Sequence, residues 1–272
     1  MSRNYNVTIK RMTHIPTVLL CIVLIAGCGR ATDRSGEAEN ATEEMTDISG
    51  DETGSADPDQ GTGLRYESAS DTEIDFEALK TENDEVIGWL YIPQCDVDEP
   101  ILQSYTADDY YDTHNAYRED DDAGAIYIEL ANMPNMCDFM TVIHGHGGEG
   151  GLLSGLYQYS DPDFFDKNDK FYIYMDGNLL TYEIFASFTS ERVSLIREYD
   201  FTYIDGCQQY LNYLYNDKAM DKLIRDEWDE VTPYYYLVTL TVESKDSPDT
   251  QYNIVGALIH DAAGSISRDN IE

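Results

Sequence analysis

The chain has 272 residues, 42% of them hydrophobic, which is enough to bury a sizeable core in one or two domains. Its 53 Asp and Glu against 17 Lys and Arg give a formal charge of -36. Nothing in so acidic a balance neutralises phosphates or holds an anionic lipid surface, so nucleic acid and electrostatic membrane binding are excluded.

The first 28 residues read as an export signal. Arg3, Lys10 and Arg11 form a basic start, and residues 15–26 make an apolar run too short to span a bilayer comfortably. The run ends in Ile25-Ala26-Gly27-Cys28, which resembles the bacterial lipobox, where the cysteine is lipid-modified and becomes the mature N-terminus. An ordinary signal peptide or a short membrane anchor is the competing reading. The lipobox implies a signal peptide over residues 1–27 and lipid attachment at Cys28. It also implies residence on the extracytoplasmic face of the bacterial cell membrane, because two acyl chains suffice for stable anchoring.

Residues 28–72 read as an acidic disordered linker. From Asp33 to Asp75 there are 14 Asp and Glu against Arg34 and Arg65, with few aromatics. Such a stretch cannot bury enough apolar surface to offset its ordering entropy, and self-repulsion extends it into a tether. The folded domain is expected over residues 73–272. Of five cysteines, Cys21 and Cys28 belong to the signal, leaving Cys95, Cys137 and Cys207. An odd number with no CxxC argues against a disulfide framework, although one pair is open.

Residues 68–83, "SASDTEIDFEALKTEN", predict a helix, with Ser70 and Glu73 or Thr72 and Asp75 as a capping box. Strand-like runs follow at 86–93, 99–104, 124–129, 139–145, 170–176, 179–190, 234–242 and 253–260, rich in Ile, Val, Tyr, Phe and Thr. Asp176-Gly177-Asn178 suits a hairpin turn between two of them. "DPDFFDKNDKF", residues 161–171, reads as a polar connector. One long late helix is expected over residues 205–228, with Tyr210, Leu211, Leu214 and Tyr215 on one stripe. Eight strands with few helices imply a mainly β protein built as a closed barrel.

"VIHGHGGEGGLLSGL", residues 142–156, is the most unusual stretch. A strand runs into His144-Gly145-His146 and then a loop holding Gly147, Gly148, Gly150 and Gly151, where glycine permits close backbone approach. A general acid or base at a strand end fits, as does a metal pair, since residues two apart on a strand share a face. An esterase-type oxyanion loop needs a GxSxG elbow, and none occurs. A flexible turn with incidental histidines is the fourth reading.

Several separated motifs resemble the class B sortases in order and spacing. They are "DFEALKTENDEVIGWLYIP" (residues 75–93), "DDYYDTHNAYREDDDAGAIYIE" (108–129), the run from Thr141 through "VIHGHGG" to Phe185, and "YYYLVTLTVE" (234–243). The resemblance extends from Phe76 to about Ile259. It implies an eight-stranded sortase-type β-barrel with an N-terminal helix and one long late helix. It also implies cysteine transpeptidase chemistry that cuts a sorting signal and joins a protein to the cell wall.

That chemistry needs a histidine, a cysteine thiolate ending one strand, and an arginine starting the next. His146 matches the histidine. The cysteine position falls on Glu243 and the arginine position near Gln251. No cysteine follows Cys207, and no arginine occurs between Arg225 and Arg268. Without the thiolate, thiol transpeptidation is lost, and one missing oxyanion donor alone costs ~10²–10³ in rate. The expectation is a pseudo-sortase that binds a peptide, a sorting-signal-like segment or a cell-wall component and uses no cofactor. An accessory role beside an active sortase or pilus machinery is a related reading. The alternative is an atypical transpeptidase or a Glu/His hydrolase, with or without metal aid. Its candidate ligands are His146, Glu243, His144 and His114, a His/carboxylate set that suits zinc.

Overall fold

The computed structural model of the protein describes residues 74–216, 222–245 and 247–266. The expected signal peptide, Cys28 and the linker lie outside the described residues.

Asp75 caps the first helix, α1 (Phe76–Glu82), by accepting the Ala78 N–H at 2.9 Å, and Phe76 anchors it against the barrel. The expected partners Ser70, Thr72 and Glu73 are outside the described residues, so a single Asp cap is what is seen at this end. Strands β1 (Val86–Ile92), β2 (Val97–Leu102), β3 (Ile126–Ile128) and β4 (Met140–His144) follow. Next come α2 (Pro162–Lys167), β5 (Lys170–Met175), β6 (Asn178–Glu191), α3 (Leu195–Glu198) and α4 (Ile204–Asn216). The two-residue β7 (Leu223–Ile224), then β8 (Leu237–Glu243) and β9 (Thr250–Asp261), complete the chain.

The sheet runs β5-β1-β2-β3-β4-β8-β9-β6, and β5 pairs with β6 to close an eight-stranded barrel. Short β7 adds to β6 at Ala186 and Ser187, beyond the reach of β5. Pairs β2–β3 and β4–β8 are parallel and the rest antiparallel. All eight expected strands are present. The β5–β6 hairpin turns through Asp176-Gly177, where Gly177 takes φ +77°, as a two-residue turn requires.

Side-chain alternation sorts β8 between two cores. Val238, Leu240 and Val242 point into the barrel with Leu90, Ile101, Ile143 and Ile254. Leu237 faces outward to α4, beside Phe139, Phe185, Tyr210 and Leu214. Because a helix covers its outer face, β8 is buried on both sides and is made of Leu, Val and Thr up to Glu243. Each buried Leu, Ile or Phe contributes about 1.5–3 kcal/mol.

Two expectations are corrected. The segment read as a polar connector forms α2: Asp161 accepts the Phe164 N–H at 2.9 Å, Pro162 opens the first turn, and Phe165 is buried. Phe165 also carries the Arg225 guanidinium 4.4 Å from its ring centroid. The late helix does not reach Trp228: α4 is Ile204–Asn216, and Asp226–Trp228 form a separate 3-10 turn. Leu223 and Ile224 join β6 instead, because the freed edge of that strand offers unpaired backbone groups. Cys95, Cys137 and Cys207 are buried and form no disulfide among the described residues.

Candidate functional site

Two neighbouring strand ends and one glycine loop build the site. β4 and β8 are parallel partners, with His144 opposite Thr241, so both strands deliver their C-terminal ends to one rim of the barrel. His146 and Glu243 each lie two residues beyond that pair. On the other side of β8, Glu243 is the direct antiparallel partner of Gln251. The three positions singled out in sequence therefore meet, and they line one cleft with His144, Thr241 and Arg192.

Glu243 holds the loop after β4. Its Oε2 accepts the Gly147 N–H at 3.1 Å and its Oε1 the Gly148 N–H at 3.0 Å. Gly147 has to be glycine: a Cβ there would lie 2.6 Å from the Tyr157 hydroxyl and 2.9 Å from Val242 Cβ. The Tyr157 hydroxyl in turn donates to the Glu243 backbone carbonyl, and the Lys245 ammonium sits 4.1 Å from the Tyr157 ring centroid. Burial acts to raise the Glu243 pKa. Its own N–H, those of Gly147 and Gly148, and the nearby His146 outweigh that and hold it below the ordinary glutamate value. Burial and the Glu243 charge push the Tyr157 hydroxyl up to about 12.

His146 faces the same carboxylate at longer range. Its Nδ1 is 3.7 Å from Glu243 Oε1. Its Nε2 lies 2.8 Å from the Asp112 backbone carbonyl. A carbonyl only accepts, so Nε2 carries a proton and Nδ1 is the nitrogen turned towards Glu243.

Gln251 is a second brace. Its Nε2 donates to the Val193 carbonyl at 3.2 Å, and the Arg192 N–H donates to the Asp249 carbonyl at 2.9 Å. The segment beyond β6 is thereby pinned at the rim and carries Arg192 into the cleft.

The remaining candidate metal ligands are engaged elsewhere. His144 stacks on Tyr127 at 5.2 Å, and its Nε2 is 3.2 Å from Glu129 Oε1, a close contact outside hydrogen-bond geometry. Buried Glu129 also accepts the Ser194 hydroxyl at 2.8 Å. His114 stacks on Tyr110 at 4.0 Å and approaches Asp120 at 3.4 Å. Among the described residues no group of three or more His, Cys, Asp or Glu is placed to hold a metal ion. Of the four candidate ligands, the fold joins His146 to Glu243 and gives His144 and His114 other partners.

Sequence reasoning missed Arg192, Glu129 and the amides of Gly147 and Gly148. Arg192 was reachable in principle. The antiparallel register puts Ser190 opposite Gln251, so the residue just past the end of β6 must reach the same rim. The amides carry no side-chain signal at all.

No protein-family model matches the chain. It is 35% identical over 107 residues to sortase B of Listeria monocytogenes, a stretch covering 39% of this chain and 42% of that protein. It is 25% identical over 186 residues to sortase B of Staphylococcus aureus, covering 68% and 74%. Among solved structures, Clostridium perfringens sortase B superposes with a TM-score of 0.60 at 23% identity, over 68% of this chain and all (100%) of that one. A Streptococcus pyogenes class B sortase involved in pilus biogenesis gives 0.59 at 22%, over 68% and 98%. A Staphylococcus aureus sortase B–substrate complex gives 0.57 at 21%, over 68% and 84%. By sequence likeness the chain is a homologue of the sortase B proteins, and its fold is that of the class B sortase structures.

Proposed function

We propose that this protein is a pseudo-sortase, which keeps the sortase cleft to bind a peptide or cell-wall component and performs no thiol transpeptidation. One observation carries the reading: the side chain at the nucleophile position, Glu243, has both carboxylate oxygens occupied by the amides of Gly147 and Gly148. A carboxylate is already a poor nucleophile towards an amide, and one whose lone pairs accept two hydrogen bonds is poorer. Gln251, at the arginine position, is spent on the Val193 carbonyl. Both positions that the family uses for chemistry serve here as struts. Peptide binding is proposed because the cleft persists and a relative has been solved with its substrate. The lipobox at Cys28 places the domain, in this reading, on a lipid-anchored acidic tether at the extracytoplasmic membrane face.

The test is a cleavage assay on a panel of sorting-signal peptides, with and without an amine acceptor. No turnover above background is expected, and alkylating agents should change nothing. Turnover that disappears in His146→Ala would overturn the reading and favour a Glu/His enzyme.

A further inference from the structure

Four arginines fall among the described residues, and three are committed. Arg118 pairs with Asp84 at 2.5 Å and Glu85 at 3.3 Å, and Arg197 with Asp108 at 2.7 Å. Arg225 donates to the carbonyls of Ile184 and Phe165. Arg192 is different. It is exposed, it lines the cleft, and its guanidinium has no partner among the described residues. That is unexpected in a chain with 53 acids against 17 bases, where a carboxylate is within easy reach of most surface cations.

The resident acids of the cleft explain why Arg192 stays open. Glu243 is taken up by two amides, and Asp112 Oδ1 accepts the Tyr127 hydroxyl at 2.7 Å. Backbone pins fix the arginine from both sides, through the Arg192 N–H on Asp249 and the Gln251 side chain on Val193. A guanidinium presents a planar fork that matches a carboxylate in two parallel bonds. With two acidic neighbours already present, a monoanion suits the cleft better than a phosphate.

We infer that Arg192 is the ligand-anchoring residue of this cleft and that the ligand presents it with a carboxylate, from a peptide C-terminus or an acidic side chain. The inference rests on the reading of the cleft as a peptide site and adds the chemical group that the site selects. It can be tested on the full-length protein by NMR titration with N-acetylglycine, with N-acetyl-aspartyl amide and with neutral N-acetylglycinamide. Saturable shifts of the Arg192 Nε–H signal and of the Thr241 and Gln251 amides are expected with the acids. Affinity for the neutral amide should be about threefold to tenfold weaker. The preference should vanish in Arg192→Gln and persist in part in Arg192→Lys. Whichever acid binds more tightly assigns the source of the carboxylate. Equal binding of acid and amide overturns the inference and leaves a peptide cleft standing. An absence of shifts with every probe overturns it too, and the cleavage assay still measures activity independently of this outcome.

Discussion

Glu243 and Gly148 lie 95 residues apart in the chain, and the carboxylate of the first accepts the backbone N–H of the second at 3.0 Å. With the matching bond to Gly147, this ties the loop after β4 to the end of β8. The parallel β4–β8 pairing brings the two segments side by side, and the carboxylate fastens them beyond the last backbone bond of the sheet. Hydrogen bonds to a charged group are the strong class, yet Glu243 is only partly buried and water can replace part of what is lost. Glu243→Ala should therefore cost about 1–2 kcal/mol in urea unfolding at pH 7. Glu243→Gln keeps one acceptor oxygen and should fall between. Amide exchange at Gly147 and Gly148 should quicken in both variants while the barrel strands stay protected. Unchanged exchange at those two amides would mean that the carboxylate does not hold the loop.

The same pair sets a pH dependence. The folded Glu243 pKa lies below the ordinary value of 4.5, so the unfolded chain binds this proton more tightly than the folded one. Stability from this group is fully present above about pH 4.5 and is lost as pH falls through the lower folded value. Glu129 behaves likewise: burial acts to raise its pKa, and His144, Ser194 and Arg197 together lower it further than burial lifts it. Wild-type stability should fall steeply on acidification below about pH 4.5. The gap between wild type and Glu243→Gln should be flat from pH 5 to 7 and close below that range. Thermal unfolding at half-unit pH intervals checks it, and a gap that widens on acidification contradicts the sign.

The barrel was legible because its strands obey simple rules. The run Leu237–Val242 holds only Leu, Val and Thr, all strand formers, and Asp176-Gly177 marks the β5–β6 hairpin by turn chemistry. The misses share a cause. The connector that became α2 is stabilised by one Asp cap worth about 1 kcal/mol, one early proline and the burial of Phe165, local signals that composition hides. The late helix was overextended because helical spacing in residues 217–228 says nothing of an open strand edge at Ala186. In the site, His146, Glu243 and Gln251 were found because the strand motifs fix their register. Their roles were not, because these roles depend on partners with no side-chain signature: the amides of Gly147 and Gly148 and the carbonyls of Asp112 and Val193. Arg192 was missed because it arrives from β6, distant in sequence and adjacent only once the barrel closes.

Replacing the strut by the thiol that the family uses at this position tests whether the rest of the site still favours an anion. In Glu243→Cys the sulfur would point towards the Gly147 and Gly148 amides, donors that stabilise a thiolate over a thiol, and towards His146 Nδ1, which can take the thiol proton and hold the thiolate as an imidazolium. The native thiols offer an internal contrast. Burial raises the Cys95 pKa to about 12 against a weaker opposing hydrogen bond with Tyr159, and Cys137 and Cys207 are buried as well. Iodoacetamide should therefore modify the new cysteine at neutral pH while Cys95 stays unlabelled in the folded protein. The rate-against-pH profile should give an apparent pKa below the ~8.5 of a free cysteine. Adding Gln251→Arg restores a guanidinium across the β8–β9 pair, at the cost of the Val193 brace, and should lower that value further. If the double variant also forms a covalent adduct with a sorting-signal peptide, the cleft has kept its binding geometry and lost only its reactive groups. An apparent pKa at or above ~9 in both variants would show that the amides and His146 do not form an anion site, and that Glu243 supplies the loop geometry rather than filling it.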